Sequence, residues 1–528
     1  MIYLVTKQQQ LFKSDKYQVI SSTAALAILE PLKEVECDTE TKGLDPYTKA
    51  LLTIQLGNKE NQVVFDVTGG IPYGLKEYME SDRLFLFWNA QFDLIFLYHY
   101  NIWPEHIYDG MLAEQLLYLG YDSGSISYAL KEAARRYDIA EIDKSVRGAI
   151  INEGLTERVV VYAAGDVMYL SLIRDKQMKK IKAEHLEKAL NLENEFVKCL
   201  AYIKYCGVHL DKDKWKAKMS KDKAKLDSAV EELNKWCVEY FKNHFGNTKK
   251  FNIRKDFIVD SQYIHDVEKL QKLGFQTKNL DTSRPEDCFT KDSGIEDVGK
   301  LYCQYFEIPY PFIKIDLQGD LFNGFSTDPL CIINWSSQKQ LIPFFELLGF
   351  KLDTFDKKTK EKKKSVGRDI IKAQKHISPI ASIYLKYKEA EKVCSAFGQN
   401  WLNAINPVSG RIHVDFHQLG TATARVSSGG GPYKLNLQQL PHDPVTRACF
   451  TAEKGNKWIS IDYDSQESRL LASVANDPAM LDLFINGCGD VHSLVAKMSY
   501  SNIIPPDTRV EDIKELYHSQ RQDAKGIE

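Results

Sequence analysis

One stretch, residues 458–469, constrains the fold more than any other part of the sequence. In it Ile459 and Ile461 flank a serine and Asp462 follows, which predicts a strand that ends in a carboxylate. The residues from 467 to 471 suit the start of a helix. A carboxylate at a strand end, exposed beside a turn, can hold a divalent cation against a triphosphate. An isolated Asp of this kind would more simply be an acid that closes a strand.

The length, net charge and cysteine content of the chain limit the class of protein to which it can belong. With 528 residues it is too long for one hydrophobic core, so we expect two to four domains. The net charge of −3 excludes a globally basic nucleic-acid binder, and any contact with DNA must come from local basic patches. Ten scattered cysteines without a Cys-x-x-Cys pair favour a reduced protein of the cytoplasm. No uncharged apolar stretch is long enough to span a membrane, so we expect no membrane partner.

The N-terminal third carries a second group of carboxylates. Strands are predicted at 35–38, 52–56, 62–66 and 84–88. Asp38 and Glu40 are two positions apart on an extended chain, so both can point to one face. Asn89 is a good N-cap, and Asp93 then sits about one turn into an apolar helix. A charge there is costly unless a cation or a hydrogen-bond donor satisfies it.

A further helix is predicted over residues 158–173. Tyr162 and Asp166 lie four positions apart and share one face of it. Each of these patterns alone has a simpler explanation, because surface strands often carry paired acids and Asp93 also fits the exposed stripe of its helix. Asp109 is better explained as a residue that caps or braces a helix.

Together, Asp-x-Glu, Asn-x3-Asp and Tyr-x3-Asp resemble the motifs of the DEDDy 3′–5′ exonucleases. The resemblance implies a ribonuclease H-like domain over residues 1–185 that acts on a single-stranded 3′ end of DNA. It implies four metal-binding carboxylates at Asp38, Glu40, Asp93 and Asp166, and a water-orienting hydroxyl at Tyr162. Two divalent ions, Mg²⁺ or Mn²⁺, held about 3.5–4 Å apart would stabilise the attacking and leaving oxygens. Such hard cations prefer oxygen ligands.

The middle of the chain is long, helical and rich in lysine. Apolar residues recur at helical spacing between 215 and 241 and predict a long amphipathic helix. Residues 246–329 lack clear periodicity, and we interpret them as an insertion that either binds a partner or DNA or merely elaborates the domain. A helix start at 334–341 would attract phosphate. The six lysines within 357–364 form either a solvated loop or a salt-dependent grip on DNA.

Three motifs follow one another between residues 410 and 441. They read Gly-Arg-Ile-His, Thr-Ala-Arg-Val-Ser-Ser and Asn-Leu-Gln-Gln-Leu-Pro. In this order they resemble the motifs of family A DNA polymerases, the polymerase I group, with Ala424 where that family usually has glycine. The resemblance implies that Arg425, Asn436 and Gln438 contact the primer-template. Primer phosphates and minor-groove acceptors look alike on every base pair, so such contacts are independent of sequence.

Residues 458–469 resemble the first palm motif of the same family. The resemblance implies that Asp462 is a catalytic metal ligand, that Glu467 lies under the sugar of the incoming deoxynucleoside triphosphate, and that Arg469 contacts DNA. Arg521 and Lys525 lie one helical turn apart, which suits a triphosphate. The nucleotide-binding residues that the resemblance implies further along the chain are His492, Arg521 and Lys525.

The resemblance therefore implies a multidomain protein of α/β and α+β class. Its predicted parts are the exonuclease domain (1–185), a helical thumb with the insertion (186–398), a partial palm (399–483) and the start of the fingers (484–528). The fingers Tyr-Gly and the His-Asp-Glu motif of the palm are not found in the sequence. One palm carboxylate cannot hold the two-metal site of nucleotidyl transfer.

We accordingly expect the N-terminal part of a family A polymerase that synthesises DNA with 3′–5′ proofreading. By itself this chain would keep only the exonuclease and DNA binding, and a second polypeptide would supply the missing motifs. The insertion favours a phage or mobile-element source, hence the cytoplasm of a bacterial cell or of a phage-infected host. Two alternatives are a stand-alone 3′–5′ exonuclease and a catalytically idle DNA-binding subunit.

Overall fold

The computed structural model describes residues 1–121, 126–141, 153–245, 258–259, 330–331, 333–355, 361–487 and 490–526. Almost all of the predicted insertion therefore lies outside the described residues. Three of the six clustered lysines, Lys357, Lys358 and Lys360, also lie outside them. The chain divides into two compact units, Met1–Thr451 and Ala452–Glu528. None of the described helices is long and apolar enough to cross a bilayer.

A seven-stranded mixed sheet organises the N-terminal part of the first unit. Its strands are β1 (Ile2–Val5), β2 (Gln18–Val19), β3 (Glu34–Thr41), β4 (Leu51–Gly57), β5 (Gln62–Asp66), β6 (Leu84–Phe87) and β7 (His106–Asp109). Their order across the sheet is β2-β1-β5-β4-β3-β6-β7. Strand β3 runs antiparallel to β4 and parallel to β6. Every residue of β4 and β5 is buried, as expected of strands covered on both faces.

The described helices of this sheet and its flank come in chain order. They are α1 (Ser22–Leu29), α2 (Leu75–Met79), α3 (Ala90–His99), α4 (Gly110–Leu117), α5 (Leu130–Arg136), α6 (Glu157–Gly165), α7 (Leu170–Ala183) and α8 (Glu187–Cys206). The helix predicted over 158–173 is thus two helices. Helix α6 ends at Gly165, a residue with little helix propensity, and a short turn separates it from α7.

Helix α8 packs on the same core although its residues were predicted to open the thumb. Leu190, Val197 and Ala201 are buried in one apolar cluster with residues of the sheet and of α3. The helix ends where predicted, before Gly207, whose φ of 61° favours glycine. A Cβ on Gly207 would approach the His413 ring to 2.8 Å.

A second helical region follows. Its elements are α9 (Lys212–Phe245), β8 (Ile258–Val259), β9 (Leu330–Cys331), α10 (Gln338–Leu347), β10 (Asp353–Phe355), β11 (Lys362–Lys364), α11 (Arg368–Ala373), α12 (Ile380–Ala396) and α13 (Gln399–Asn403). The predicted long amphipathic helix is α9, which packs along α12 with Leu233, Phe345 and Tyr384 in a shared core. Lys362–Lys364, predicted as loop, pair with Asp353–Phe355 as an antiparallel hairpin.

The rest of the first unit contains β12 (Phe416–His417), β13 (Ser427–Ser428) and α14 (Pro444–Arg447). A separate core joins the start of α9 to this region through Trp215, Trp401, Ile412 and Leu435. Gly207 is followed by a bridge from Val208 to Ile412, so the three motifs of residues 410–441 rest on the end of α8 and the start of α9.

The second unit is helical, and the strand predicted at 459–461 is wrong. Its helices are α15 (Gln466–Ala475), α16 (Pro478–Ile485), α17 (Val491–Ser499), α18 (Ile513–Leu516) and α19 (His518–Ala524). Ile459 and Ile461 are 77% and 87% exposed and have no strand assignment. An alternating pattern forms a strand only when a neighbouring strand takes up its backbone groups, and no strand of the described part of this unit does so. The helix predicted after Asp462 is present as α15.

Candidate metal centre

Three of the predicted carboxylates converge at one end of β3. Carboxylate oxygens of Asp38, Glu40 and Asp166 all lie within 4.8 Å of one another, and we call these residues the carboxylate cluster. Asp38 and Glu40 share a face because side chains alternate along β3. Asp166 enters from the C-terminal end of α6, where it is the C-cap residue.

Asp93, the fourth predicted carboxylate, lies against the backbone of the same strand. Its Oδ1 accepts hydrogen bonds from the Thr39 backbone N–H at 3.1 Å and the Thr39 hydroxyl at 2.6 Å. Burial raises the pKa of Asp93, and the Thr39 hydroxyl opposes that rise. Asp93 is 2% exposed. A carboxylate buried to this extent accepts hydrogen bonds from nearby donors, because an unsatisfied buried carboxylate is costly.

Tyr162 faces the carboxylate cluster. Burial raises the pKa of its hydroxyl, and the charges of Asp166, Glu40 and Asp38 raise it further. The phenol is therefore neutral at physiological pH and carries a proton that it can donate to an oxygen. Tyr162 also packs on Leu52 and Val159, which fixes its ring above the sheet.

The N-terminus of α3, which carries Asp93, is capped by a residue other than the predicted one. Asn89 has a φ of 71° and its side chain makes no capping hydrogen bond. The buried carboxylate of Asp109 accepts from the backbone N–H groups of Asn89 and Ala90, at 3.0 and 2.8 Å. It also caps its own helix α4 through Met111 at 2.9 Å. The interpretation of Asp109 as a capping residue matches these contacts.

Glu36 is a further buried carboxylate of this domain, and it is not among the residues predicted from the sequence. Glu36 accepts hydrogen bonds from the backbone N–H of Leu170 at 2.8 Å, from that of Ser171 at 3.1 Å, and from the Ser171 hydroxyl at 2.6 Å. It is 1% exposed. The available signal was an acidic residue between the apolar residues Val35 and Cys37, because such a residue needs internal partners wherever its strand is covered on both faces.

The predicted DNA-binding residues of the first unit lie on one exposed loop and the short 3-10 turn that follows it. The Arg425 side chain is exposed, while its backbone N–H donates to the Thr421 hydroxyl at 2.9 Å. The Asn436 side chain accepts from the Gln439 N–H at 3.1 Å, and Gln438 donates to the Val426 carbonyl at 3.1 Å. Asn436 and Gln438 therefore have structural partners in this state.

In the second unit, Asp462 and Glu467 are exposed. Arg469 donates from Nε to the Asp464 carbonyl at 2.9 Å, and its guanidinium lies 4.6 Å from the centre of the Phe484 ring. The predicted palm residues are thus on the exposed segment 462–464 and the first turn of α15.

The predicted nucleotide-binding residues of this unit are differently engaged. Arg521 binds Asp490 through two hydrogen bonds, Nε to Oδ2 at 2.9 Å and Nη2 to Oδ1 at 3.1 Å. Burial acts to raise the pKa of Asp490, but the hydrogen bonds from Arg521 and Ser493 outweigh it and lower that pKa. His492 is half-buried at the start of α17, and Lys525 is exposed just after α19. The Arg521 guanidinium therefore already has an anionic partner.

The donor set of the carboxylate cluster suits a hard divalent cation. It offers carboxylate oxygens and neither imidazole nor thiolate, the choice that Mg²⁺ and Mn²⁺ prefer over softer metals. Three ligand oxygens within 4.8 Å of one another can converge on a single ion without movement of the backbone. The residues present therefore fit a divalent metal.

Comparison with known families places two segments of the chain. Residues 18–182 match the family described as 3′-5′ exonuclease, and residues 329–528 match the family described as DNA polymerase family A. The first match contains the whole carboxylate cluster with Asp93 and Tyr162. The second contains all the residues predicted to bind primer-template or nucleotide.

Several relatives that match the chain carry the name DNA polymerase I. The protein of Aquifex aeolicus is 24% identical over 504 residues, which are 95% of this chain and 69% of that protein. The protein of Caldicellulosiruptor bescii is 32% identical over 152 residues, 28% of this chain and 16% of that protein. The thermostable DNA polymerase I of Thermus aquaticus is 32% identical over 172 residues, 32% of this chain and 20% of that protein.

A solved structure shares the fold. The structure of the POL domain of Pol1 from M. smegmatis, in complex with DNA primer-template and dNTP, aligns with 99% of this chain and 70% of that chain at a TM-score of 0.60. Sequence identity is 16%, so this likeness concerns the fold alone.

Proposed function

Since the chain belongs to DNA polymerase family A and carries a 3′–5′ exonuclease domain, we propose that it removes nucleotides from the 3′ end of DNA. The observation that supports this function best is the convergence of Asp38, Glu40 and Asp166 with Tyr162 facing them. The proposed products are nucleoside monophosphates, and the proposed substrate is a single-stranded or frayed 3′ end.

The proposed cofactor is Mg²⁺ or Mn²⁺, bound as a pair. Asp38, Glu40 and Asp166 would hold these ions. Asp93 would be the fourth ligand after its carboxylate exchanges a hydrogen bond from Thr39 for a bond to metal. When bound, divalent ions supply stabilisation of negative charge on the attacking and leaving oxygens of a phosphodiester.

The chain's own side chains have separate roles in this proposal. The neutral Tyr162 phenol would hold the attacking water by a hydrogen bond and set its direction toward phosphorus. Thr39 holds the Asp93 carboxylate at the edge of β3, so that little reorientation is needed when a metal binds. Helix α3 and the turn after α6 bring the remaining acids to the end of β3.

For the polymerase part we propose primer-template DNA and deoxynucleoside triphosphates as ligands. The residues that would contact the DNA are Arg425, Asn436, Gln438 and Arg469. Asp462 and Glu467 would lie at the nucleotidyl-transfer site, Asp462 as metal ligand. His492, Arg521 and Lys525 would meet the triphosphate. Because Arg521 already donates two hydrogen bonds to Asp490, it would have to leave that partner or act through its remaining N–H groups.

The second polypeptide expected from the sequence finds no support in the comparisons and stays a prediction, as do the cytoplasm and the phage source. Primer extension by the chain alone would remove the need for a second polypeptide. Extension that persists in Asp462→Ala would contradict the proposed role of that carboxylate.

The exonuclease proposal is tested on a 5′-labelled single-stranded oligonucleotide with Mg²⁺ or Mn²⁺. Wild type should shorten it from the 3′ end and release monophosphates, and the double variant Asp38→Ala, Glu40→Ala should reduce the rate to background. Glu34→Ala is a matched control, because Glu34 is an acid of the same strand that pairs with Arg174 and is not part of the carboxylate cluster. Equal rates in wild type and the double variant would refute the proposal and favour the idle DNA-binding subunit.

A further inference from the structure

Glu36 makes an unusual connection between β3 and α7. Its two carboxylate oxygens accept three hydrogen bonds from Leu170 and Ser171, residues 134 and 135 positions further along the chain. These donors are the first two residues of α7. A carboxylate is the group that best satisfies the free N–H groups at a helix start, since it also meets the positive end of the helix dipole.

Helix α7 is not capped by its own flanking residue. The residue at its N-cap position, Tyr169, makes no side-chain hydrogen bond to the helix. Glu36 therefore supplies from a neighbouring strand what a Ser, Thr or Asp at position 169 would supply locally. Burial of an acid is costly unless it is satisfied, so the arrangement holds only while strand and helix keep their relative positions.

Glu36 links the two segments that supply the carboxylate cluster, which are β3 and the turn between α6 and α7. Glu36 is two residues before Asp38 on β3, so its side chain and those of Asp38 and Glu40 leave the same face of the strand. Asp166 lies in the turn that joins α6 to α7, and Leu170 follows it by four positions. Fixing the first residues of α7 on Glu36 therefore limits how far Asp166 can move from Asp38 and Glu40.

We propose that Glu36 is a positioning residue for the metal centre, an inference that rests on the proposed exonuclease function. It touches neither metal nor substrate, and it acts by holding Asp166 at the distance from Asp38 and Glu40 that one cation requires. Residues that orient metal ligands typically change metal affinity by about 10–100-fold when they are removed.

The test measures Mn²⁺ binding to the full chain by electron paramagnetic resonance, with exonuclease rate as a second readout. Glu36→Ala should raise the Mn²⁺ dissociation constant about 10-fold or more, and Glu36→Gln less, because the amide keeps one acceptor oxygen. Saturating metal should restore much of the rate while KM for DNA stays unchanged.

The matched control is Glu114→Ala. Glu114 is also a fully buried carboxylate of this domain, but its partners are Arg136, Tyr137 and Gln177. It should lose stability without a change in Mn²⁺ affinity. An unchanged dissociation constant in Glu36→Ala, or an equal rise in Glu114→Ala, would overturn the positioning role.

If Glu36→Ala fails to fold, Ser171→Ala decides the question. It removes only the 2.6 Å hydrogen bond from the hydroxyl to Glu36, and Ser171→Thr retains a hydroxyl. A weaker Mn²⁺ affinity in the alanine variant, recovered in the threonine variant, supports the inference, and equal affinities overturn it. Wild type that binds Mn²⁺ but degrades no DNA would refute the proposed function and leave this comparison intact, whereas wild type that binds no Mn²⁺ would overturn both.

Discussion

Thr39 donates two hydrogen bonds to the same oxygen of Asp93, one from its backbone N–H and one from its hydroxyl. Both residues are buried, at 5% and 2% exposure. The threonine between the two acids of the Asp-x-Glu motif thus holds a third acid, which comes from a helix 54 positions away. This contact by itself places Asp93 beside β3.

Thr39→Val should destabilise the fold and slow the exonuclease. The change keeps the shape of the side chain but removes the hydroxyl donor. Burial raises the pKa of Asp93 to about 7, so the acceptor is charged at higher pH, where a hydrogen bond to a charged group is worth about 1.5–3 kcal/mol. Unfolding by urea measures the loss. Thr41→Val is the control, since the Thr41 hydroxyl donates to the Gly43 carbonyl, a neutral group, and should cost about 1 kcal/mol. Equal losses in the two variants would show that the charge on Asp93 does not matter.

Acidification should destabilise the junction around His413. Its Nδ1 lies 2.8 Å from the Lys204 carbonyl and its Nε2 lies 2.7 Å from the Ser409 hydroxyl, which suits a neutral ring that donates at Nδ1 and accepts at Nε2. Burial lowers the pKa of His413 below its usual 6.5, as do the charges of Arg411 and Lys204, while the bond to the Lys204 carbonyl and Asp45 oppose the shift.

The direction of this pH dependence follows from the linkage between proton binding and folding. Below pH 6.5 the unfolded chain takes up a proton that the folded ring resists, so stability is full above this pH and falls as the pH drops through it. Tm should therefore decrease on acidification through this range by more in wild type than in His413→Gln, which does not titrate. Parallel pH profiles of Tm in the two proteins would contradict the prediction.

The sequence predicted local features well and long-range partners poorly. Asp38 and Glu40 were found because their two-residue spacing on a strand fixes their common face without knowledge of the rest of the fold. The capping partner of Glu36 is 134 positions away, and no local pattern indicates it. The failed strand at Ile459 and Ile461 has the same origin, because alternation describes which side chains would share a face but not whether a neighbouring strand exists.

Ala424→Gly should stabilise the loop that carries Arg425. Ala424 has a φ of 61°, in the left-handed region, which costs an L-residue about 1–2 kcal/mol and glycine almost nothing. Greater freedom of glycine in the unfolded chain offsets part of this gain, so the net effect should be up to about 1 kcal/mol. The urea midpoint measures it. Ala422→Gly, at a position without a positive φ, should destabilise instead, and stabilisation by both changes would refute the argument.

The hairpin of β10 and β11 tests whether the basic segment touches DNA. Lys362, Lys363 and Lys364 are exposed on it, and Lys364 pairs with Glu346 at 2.6 Å. A lysine that meets phosphate releases a counterion, so removing one such lysine lowers the slope of log affinity against log salt by about 0.7–0.9. We expect Lys362→Ala with Lys363→Ala to lower the slope by up to about 1.8 for a primer-template. Lys364→Ala should lower the slope by less than about 0.7, the change expected of a lysine that meets phosphate, because the Lys364 charge is already matched by Glu346. Fluorescence anisotropy between about 50 and 200 mM salt measures the effect. An unchanged slope in the double variant would show that the hairpin is only a solvated surface.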